Sequence, residues 1–275
     1  MGSPAVTVLL RVYNGQRYLG EAVESILSQR FTDFELLVIN DGSTDGTAVM
    51  LERYVADTRM RVLYQPNRGL SVSAKRGVEE ARGKYIAIMD ADDRSRFDRL
   101  EKQILFLESN SDHVVVGTAM RIIDENGNPI GYRSYPLSDG AIRSATMLYS
   151  PFGHSSICFH KTAALACGNY SEEFKGAEDF DFNVRLRMLG KGANLPGPLT
   201  DYRIHEAQFK TQNLRSQLSD TIRLRTIIHS RYGYHHDARS RAIDLFQRVL
   251  LFAPPTVVRS VFKLAFYRSS LPEFV

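Results

Sequence analysis

Tyr85-Ile86-Ala87-Ile88-Met89-Asp90-Ala91-Asp92-Asp93 is an apolar run that ends abruptly in acids. The apolar part reads as a buried strand, and the apolar spacing at Leu100, Ile104 and Leu107 that follows reads as a helix. The acids therefore fall in the turn between a strand and a helix.

The same order occurs three times upstream. Residues 6–12 form a β-rich apolar run that ends at Tyr13-Asn14-Gly15 and is followed by helical spacing at Leu19, Ala22, Val23, Ile26 and Leu27. Residues 34–39 lead into the turn Asn40-Asp41-Gly42-Ser43 and a helix over about 47–54. Residues 61–64 form a third strand, with a helix near 70–81. Strands alternating with helices imply an α/β fold with a mostly parallel central sheet and right-handed crossovers. In such sheets the loops at the strands' carboxyl ends form the ligand crevice, so Asn14, Asp41 and the acids at 90–93 share one edge.

After Val114-Val115-Val116-Gly117 the pattern changes to short strands around the turn Asn126-Gly127-Asn128-Pro129. A Gly- and polar-rich stretch then runs to Gly176, which reads as an added mixed β region with long loops. From about Gln212 the chain turns helical and basic, with an interruption at Pro254-Pro255.

With 275 residues and 43% hydrophobic content, the chain can bury a full core, and disorder is not expected. Cys158 and Cys167 lack partners at metal-finger spacing, so two reduced, buried thiols are expected. No apolar run approaches about 18 residues, and Met1-Gly2-Ser3-Pro4 lacks a signal-peptide start, so a cytoplasmic protein is expected. The net charge of +4 hides an asymmetry: from Lys210 onward there are eleven Lys or Arg against four Asp or Glu.

Two carboxylates spaced by one residue, Asp90 and Asp92, repel each other and call for a cation. Oxygen ligands favour Mg²⁺ or Mn²⁺, whose octahedral shell a diphosphate could complete. A solvated turn capping the next helix is the competing explanation. Asp41 either accepts hydrogen bonds from a ribose or base, or makes an Asx-type turn. Glu178-Asp179 opens a helix with apolar spacing at 182, 186 and 189. One of these acids could deprotonate an acceptor hydroxyl, although the helix dipole alone favours acids there. His205 could serve a metal or a leaving phosphate.

These segments, in this order, resemble glycosyltransferase family 2, whose members share the nucleotide-sugar-binding GT-A fold. The resemblance runs through residues 5 to about 207. It is carried by Val12-Tyr13-Asn14-Gly15 with Tyr18-Leu19, Asn40-Asp41-Gly42-Ser43-Thr44-Asp45, Asn67-Arg68-Gly69, Ala81-Arg82-Gly83-Lys84-Tyr85-Ile86, Asp90-Ala91-Asp92-Asp93 and Glu178-Asp179. It implies a GT-A domain over residues 1–210, with a donor half at about 5–118, an acceptor half at about 119–210, and a basic helical extension over 211–275.

The resemblance further implies an inverting, metal-dependent sugar transfer from a nucleotide-diphosphate donor, a UDP-sugar foremost, to a glycan or lipid-linked acceptor in glycan biosynthesis. Donor contacts would come from Val12, Tyr13, Asn14, Asp41, Asn67, Lys75, Arg76, Asp90, Ala91 and Asp92. Asp92 and His205 would hold Mn²⁺ or Mg²⁺, Asp179 would be the catalytic base, and His154 and Glu178 would face the acceptor. Two positions depart from the family's habit: Arg11 stands where proline is common, and Arg76 where asparagine is frequent. Both would add positive charge near a diphosphate, unless Arg11 pairs with an acid on the crevice floor.

The tail beyond Gln212 sets Phe and Val among Arg and Lys. Packing on its own domain or a homodimer partner is expected ahead of peripheral contact with an anionic membrane, because Pro254-Pro255 breaks a long amphipathic helix. Nucleic acid is not an expected partner, since aromatic residues are not interleaved with basic ones in the front domain. A sugar nucleotidyltransferase would carry a Gly-rich basic first loop, which Arg11-Val12-Tyr13-Asn14-Gly15 is not. An inactive nucleotide-sugar-binding scaffold would have lost the acids, and Asp90, Asp92 and Asp179 are present.

Overall fold

The computed structural model describes residues 2–206, 214–254, 256–258 and 260–261. The expected boundary at 210/211, and the tail residues Phe262, Lys263, Leu264, Ala265, Phe266 and Arg268, lie outside these described residues.

The N-terminal part of the sheet follows the alternation in the sequence. Strands β1 (Val6–Val12), β2 (Phe34–Asp41), β3 (Met60–Gln65) and β4 (Tyr85–Asp90) pair in parallel in the order β3-β2-β1-β4. Helices α1 (Leu19–Leu27), α2 (Thr47–Glu52), α3 (Leu70–Glu80) and α4 (Arg99–Ser109) make the connections.

Because side chains alternate across a strand, the sheet feeds two cores. Val6, Val8, Leu10 and Val12 meet Leu36, Val38, Ala87 and Met89 on the face covered by α1 and α4. Leu9, Leu37, Ile39, Ile86 and Ile88 meet Ala74 and Val78 of α3 on the other face. Arg11 is in phase with Leu9, so its side chain leaves β1 toward the second face, at the strand's crevice end.

Beyond β4 the sheet is mixed. β4 pairs antiparallel with β8 (Cys158–His160), β8 antiparallel with β6 (His113–Ile123), and β6 parallel with β9 (Lys191–Arg203). β5 (Arg94–Ser95) closes the far edge on β9, and β7 (Pro129–Arg133) forms a hairpin with β6. Two features differ from the sequence reading. The hairpin around the turn 126–129 has the expected short strand after it, β7 of 5 residues, but β6 before it runs to 11, and a 13-residue strand, β9, follows where none was expected. β9 is hard to see because Pro196, Gly197 and Pro198 interrupt it. The ladder absorbs them as a register shift opposite Thr118–Ala119, with Gly197 at φ +87. The polar-rich stretch also carries helices α5 (Asp139–Thr146) and α6 (Lys161–Ala166), besides the 3-10 turn His154–Ser156.

Helix α7 (Glu178–Leu186) packs Phe182 and Leu186 into the second core. Its other side, Phe180 and Val184, meets Leu224 and Ile228 of α8 (Leu214–Arg231). The last described long helix, α9 (Ala238–Leu250), packs Leu250 against Leu218 and Ile222 of α8. Cys158 is buried as expected, with its thiol pushed up to about 12 by burial, whereas Cys167 is only half-buried. No helix among the described residues is long and apolar enough to cross a membrane.

Candidate active site at the carboxyl edge of the sheet

The crevice is built from loops that hold one another. Asn14 has a positive φ of 53, and its Oδ1 accepts from Thr44 N at 2.8 Å. Asn14 N in turn donates to Ser43 Oγ at 2.9 Å, so the β1 and β2 loops are clamped together. Asp41 is buried, and its carboxylate accepts from Gln65 Nε2 (2.6 Å), Arg68 N (3.0 Å) and Gly69 N (2.8 Å). It therefore organises the β3–α3 loop, and its Asx-like bonding runs across space instead of along its own turn. Gly42, at φ +75, lets that loop approach, since a Cβ there would stand 2.5 Å from Asn67 N.

Arg76 donates to Gln65 Oε1 at 2.9 Å and to Tyr64 O at 3.2 Å. Its guanidinium is thus engaged at the end of β3, where it orients the amide that binds Asp41. Among the other expected donor residues, Val12 is buried in the first core, while Tyr13, Asn67 and Lys75 are exposed. Ala91 is half-buried and packs against that core.

At the acidic turn the residues separate by role. Asp90 Oδ1 accepts from Arg11 Nη2 at 3.2 Å, the pairing on the crevice floor, and Arg11 Nη1 also reaches Leu70 O. Burial works against the Arg11 charge, but Asp90, Tyr170 and Glu178 outweigh it and raise the guanidinium pKa above its ordinary value. Asp92 Oδ2 lies 2.9 Å from His205 Nε2. Asp93 is fully buried, bound by Ser155 Oγ and by Arg203 N at 2.9 Å. Burial first, and then the charges of Asp92 and Asp90, push its carboxyl well above the usual carboxylate range. Asp93 is thus an anchor between the acidic turn, the 3-10 turn and β9.

Arg203 is the residue that sequence reasoning passed over. Its guanidinium, 1% exposed, donates to Asp92 O at 2.9 Å, to Glu125 O at 3.2 Å and to Glu21 Oε2 at 2.7 Å. It also lies over the Tyr18 ring at 4.4 Å, and that ring contacts His205 at 4.9 Å. One side chain therefore fixes both members of the Asp92–His205 pair. The clue was an arginine two residues before the histidine, in a segment not recognised as a strand.

The residues expected on the acceptor side converge from elsewhere. Glu178 is buried and Asp179 half-buried in the first turn of α7, where Phe180 N donates to Asp179 Oδ1 at 2.8 Å. His154 is buried, with Nε2 3.4 Å from the Tyr170 hydroxyl. Burial raises the Tyr170 phenol well above its ordinary value; Arg11 opposes this, and Asp179, Glu178 and Asp90 add to it. Tyr170 and Arg11 therefore sit in the joint field of the β4 acid and the α7 acids.

Among the described residues no group of three or more His, Cys, Asp or Glu could hold a metal. The Asp92 Oδ2–His205 Nε2 distance of 2.9 Å is that of a hydrogen bond, and it brings one oxygen and one nitrogen of metal-ligand type together at the mouth of the acidic turn.

The family model described as Glycosyl transferase family 2 matches residues 7–167. The O-antigen biosynthesis glycosyltransferase WbnJ of Escherichia coli is 32% identical over 211 residues, covering 73% of this chain and 80% of WbnJ. EpsE of Bacillus subtilis is 34% identical over 227 residues, covering 80% of each chain. Among solved structures, S. aureus TarS 1-349 in complex with UDP-GlcNAc superposes with a TM-score of 0.68 at 18% identity, over 88% of this chain and 70% of that one. Against the longer TarS structure the chain spans 42% of its length. The mannosyltransferase PcManGT from Pyrobaculum calidifontis, in complex with GDP-Man and Mn2+, gives a TM-score of 0.64 at 18% identity, over 96% of this chain and 81% of that one. These structures share the GT-A fold.

Proposed function

The chain belongs to glycosyltransferase family 2, and on that premise we propose that it transfers a sugar, with inversion, from a UDP-sugar to an acceptor hydroxyl in glycan biosynthesis. The observation that carries this reading is the convergence of three sets of residues on one crevice: Asp90 with Arg11, Asp92 with His205, and Glu178 with Asp179. The likeness to a relative named for O-antigen biosynthesis supports a glycan or lipid-linked glycan as acceptor.

Asp41 and the clamped loops at 14–16, 40–47 and 65–69 would receive the nucleoside. Asp92 and His205 would hold Mn²⁺ or Mg²⁺, which when bound neutralises charge developing on the leaving diphosphate. Asp179, in the first turn of α7, is favoured as an anion by the helix dipole. It would take the proton of the acceptor hydroxyl while that oxygen attacks the anomeric carbon. The bond from carbon to the diphosphate oxygen breaks on the opposite face, which inverts the centre. Tyr170, kept protonated by burial, and His154 beside it would shape the acceptor side. Arg11 would hold Asp90 in place and balance its charge beside Asp92.

The test is an NMR assay of the product formed from a UDP-α-sugar, Mn²⁺ and an array of glycan acceptors. Inverted, β-linked product supports the reading; α-linked product would replace Asp179 as base with a retaining mechanism.

A further inference from the structure

Helix α9 is turned with its apolar side outward. It meets α8 through Gln247, whose Oε1 accepts from Arg225 Nη1 at 2.5 Å, and through buried Leu250. On the opposite side Leu245 (65%), Phe246 (52%) and Val249 (63%) are exposed, and just beyond the helix Phe252 is 89% exposed. A surface helix ordinarily buries its apolar stripe and shows polar residues to water, so this orientation calls for an apolar environment on the outer side.

At 100° per residue, Arg241 and Arg248 border the stripe on one edge and Arg239 on the other, and all three are exposed. Asp244, the acid of this helix, lies away from the stripe and pairs with Arg248 at 2.7 Å. Large apolar side chains between arginines suit the boundary between acyl chains and anionic headgroups, where the arginine stems lie along the apolar layer and their charges reach phosphate. The stripe is about 10 Å long, and its four side chains, each more than half exposed, present on the order of 400–500 Å², against roughly 800 Å² per partner in a stable dimer. A second copy would need further complementary surface around it, whereas lipid needs none.

We propose that the outer face of α9, made by Leu245, Phe246, Val249 and Phe252 between Arg239, Arg241 and Arg248, docks the protein onto an anionic lipid surface. This stands apart from the sugar-transfer reading and would hold for any reaction in the crevice.

The test is co-sedimentation of the full chain with vesicles of phosphatidylcholine alone, or with phosphatidylglycerol as about a third of the lipid. Expected is binding to the anionic vesicles only, weakened about tenfold or more in Phe246→Ser/Phe252→Ser. The substituted side chains face away from the core, so the thermal melt should be unchanged and the loss readable as lost docking. Absence of binding to anionic vesicles at low salt would overturn the proposal, as would equal binding by the double variant. A dimer in solution that the double variant dissociates, without vesicle binding, would assign the face to a second copy and overturn it as well.

Discussion

Arg11 and Asp90 are register partners on adjacent parallel strands, and their side chains meet at 3.2 Å on the floor of the crevice. The arginine is 5% exposed and the aspartate 34%, so the two do not share the cost of losing each other equally. Asp90→Asn removes the charge that compensates a buried guanidinium, whereas Asp92→Asn removes an acid from a histidine that needs no counter-charge when neutral and still packs on Tyr18. The expected outcome is a loss of about 1.5–3 kcal/mol for Asp90→Asn, the range for a hydrogen bond to a charged group, and a smaller loss for Asp92→Asn. Urea unfolding of the two variants checks the order; a reversed order would mean that Arg11 draws its stability from elsewhere.

Asp93 makes stability depend on pH in a direction opposite to most acids. Its folded-state pKa lies above its unfolded value, so the native state binds the extra proton and stability falls as pH rises through that window. Asn in its place can still accept from Arg203 N and offer an N–H to Ser155 Oγ. Asp93→Asn should therefore be at least as stable as wild type at neutral pH and should flatten the fall. Denaturant melts across the acid-to-neutral range check this; a variant that loses more stability at neutral than at acid pH would contradict it.

Asp179 is half-buried and tied to its own helix turn by Phe180 N. Asp179→Asn keeps that bond and removes the basicity. Transfer should fall by about a hundredfold or more, with donor affinity and melting temperature nearly unchanged. Steady-state kinetics beside donor titration reads this, and undiminished turnover would remove Asp179 from the proton path.

Gly42 tests whether Asp41 acts through the loop it holds. At φ +75, and with Asn67 N where a Cβ would stand, Gly42→Ala should cost about 1–3 kcal/mol and push the β3–α3 loop off Asp41. Donor affinity should fall with it. A destabilised variant with intact donor affinity would separate the loop from the donor site.

The parallel half of the fold was legible because β1, β2 and β4 are mostly apolar runs, each ending in a polar turn that marks the crevice edge. β9 was not, because Pro196, Gly197 and Pro198 look like a loop until β6 supplies a partner able to take up the irregularity. The site shows the same division. Asp41, Asp90, Asp92 and Asp179 stand out as acids at strand ends and a helix start. The different jobs of Asp92 and Asp93 do not, since only the fold decides that one meets His205 and the other is sealed under Ser155 and Arg203. Arg11 and Arg203 act through partners 79 and 182 positions away, separations that no local pattern encodes.

On the proposed reading, the Asp92–His205 pair, completed by a diphosphate, would bind a nucleotide-sugar through a divalent cation. The most direct measurement is the melting temperature of wild type and Asp92→Ala with UDP-, GDP-, dTDP- and CMP-sugars, each with Mn²⁺ and with chelator. A ligand at about a hundred times its Kd adds about 2.7 kcal/mol to stability, a readable shift. The expected result is a rise for wild type with a UDP-sugar and Mn²⁺, lost with chelator and lost in Asp92→Ala. A rise that survives both the chelator and the substitution, or no rise with any donor, would contradict it.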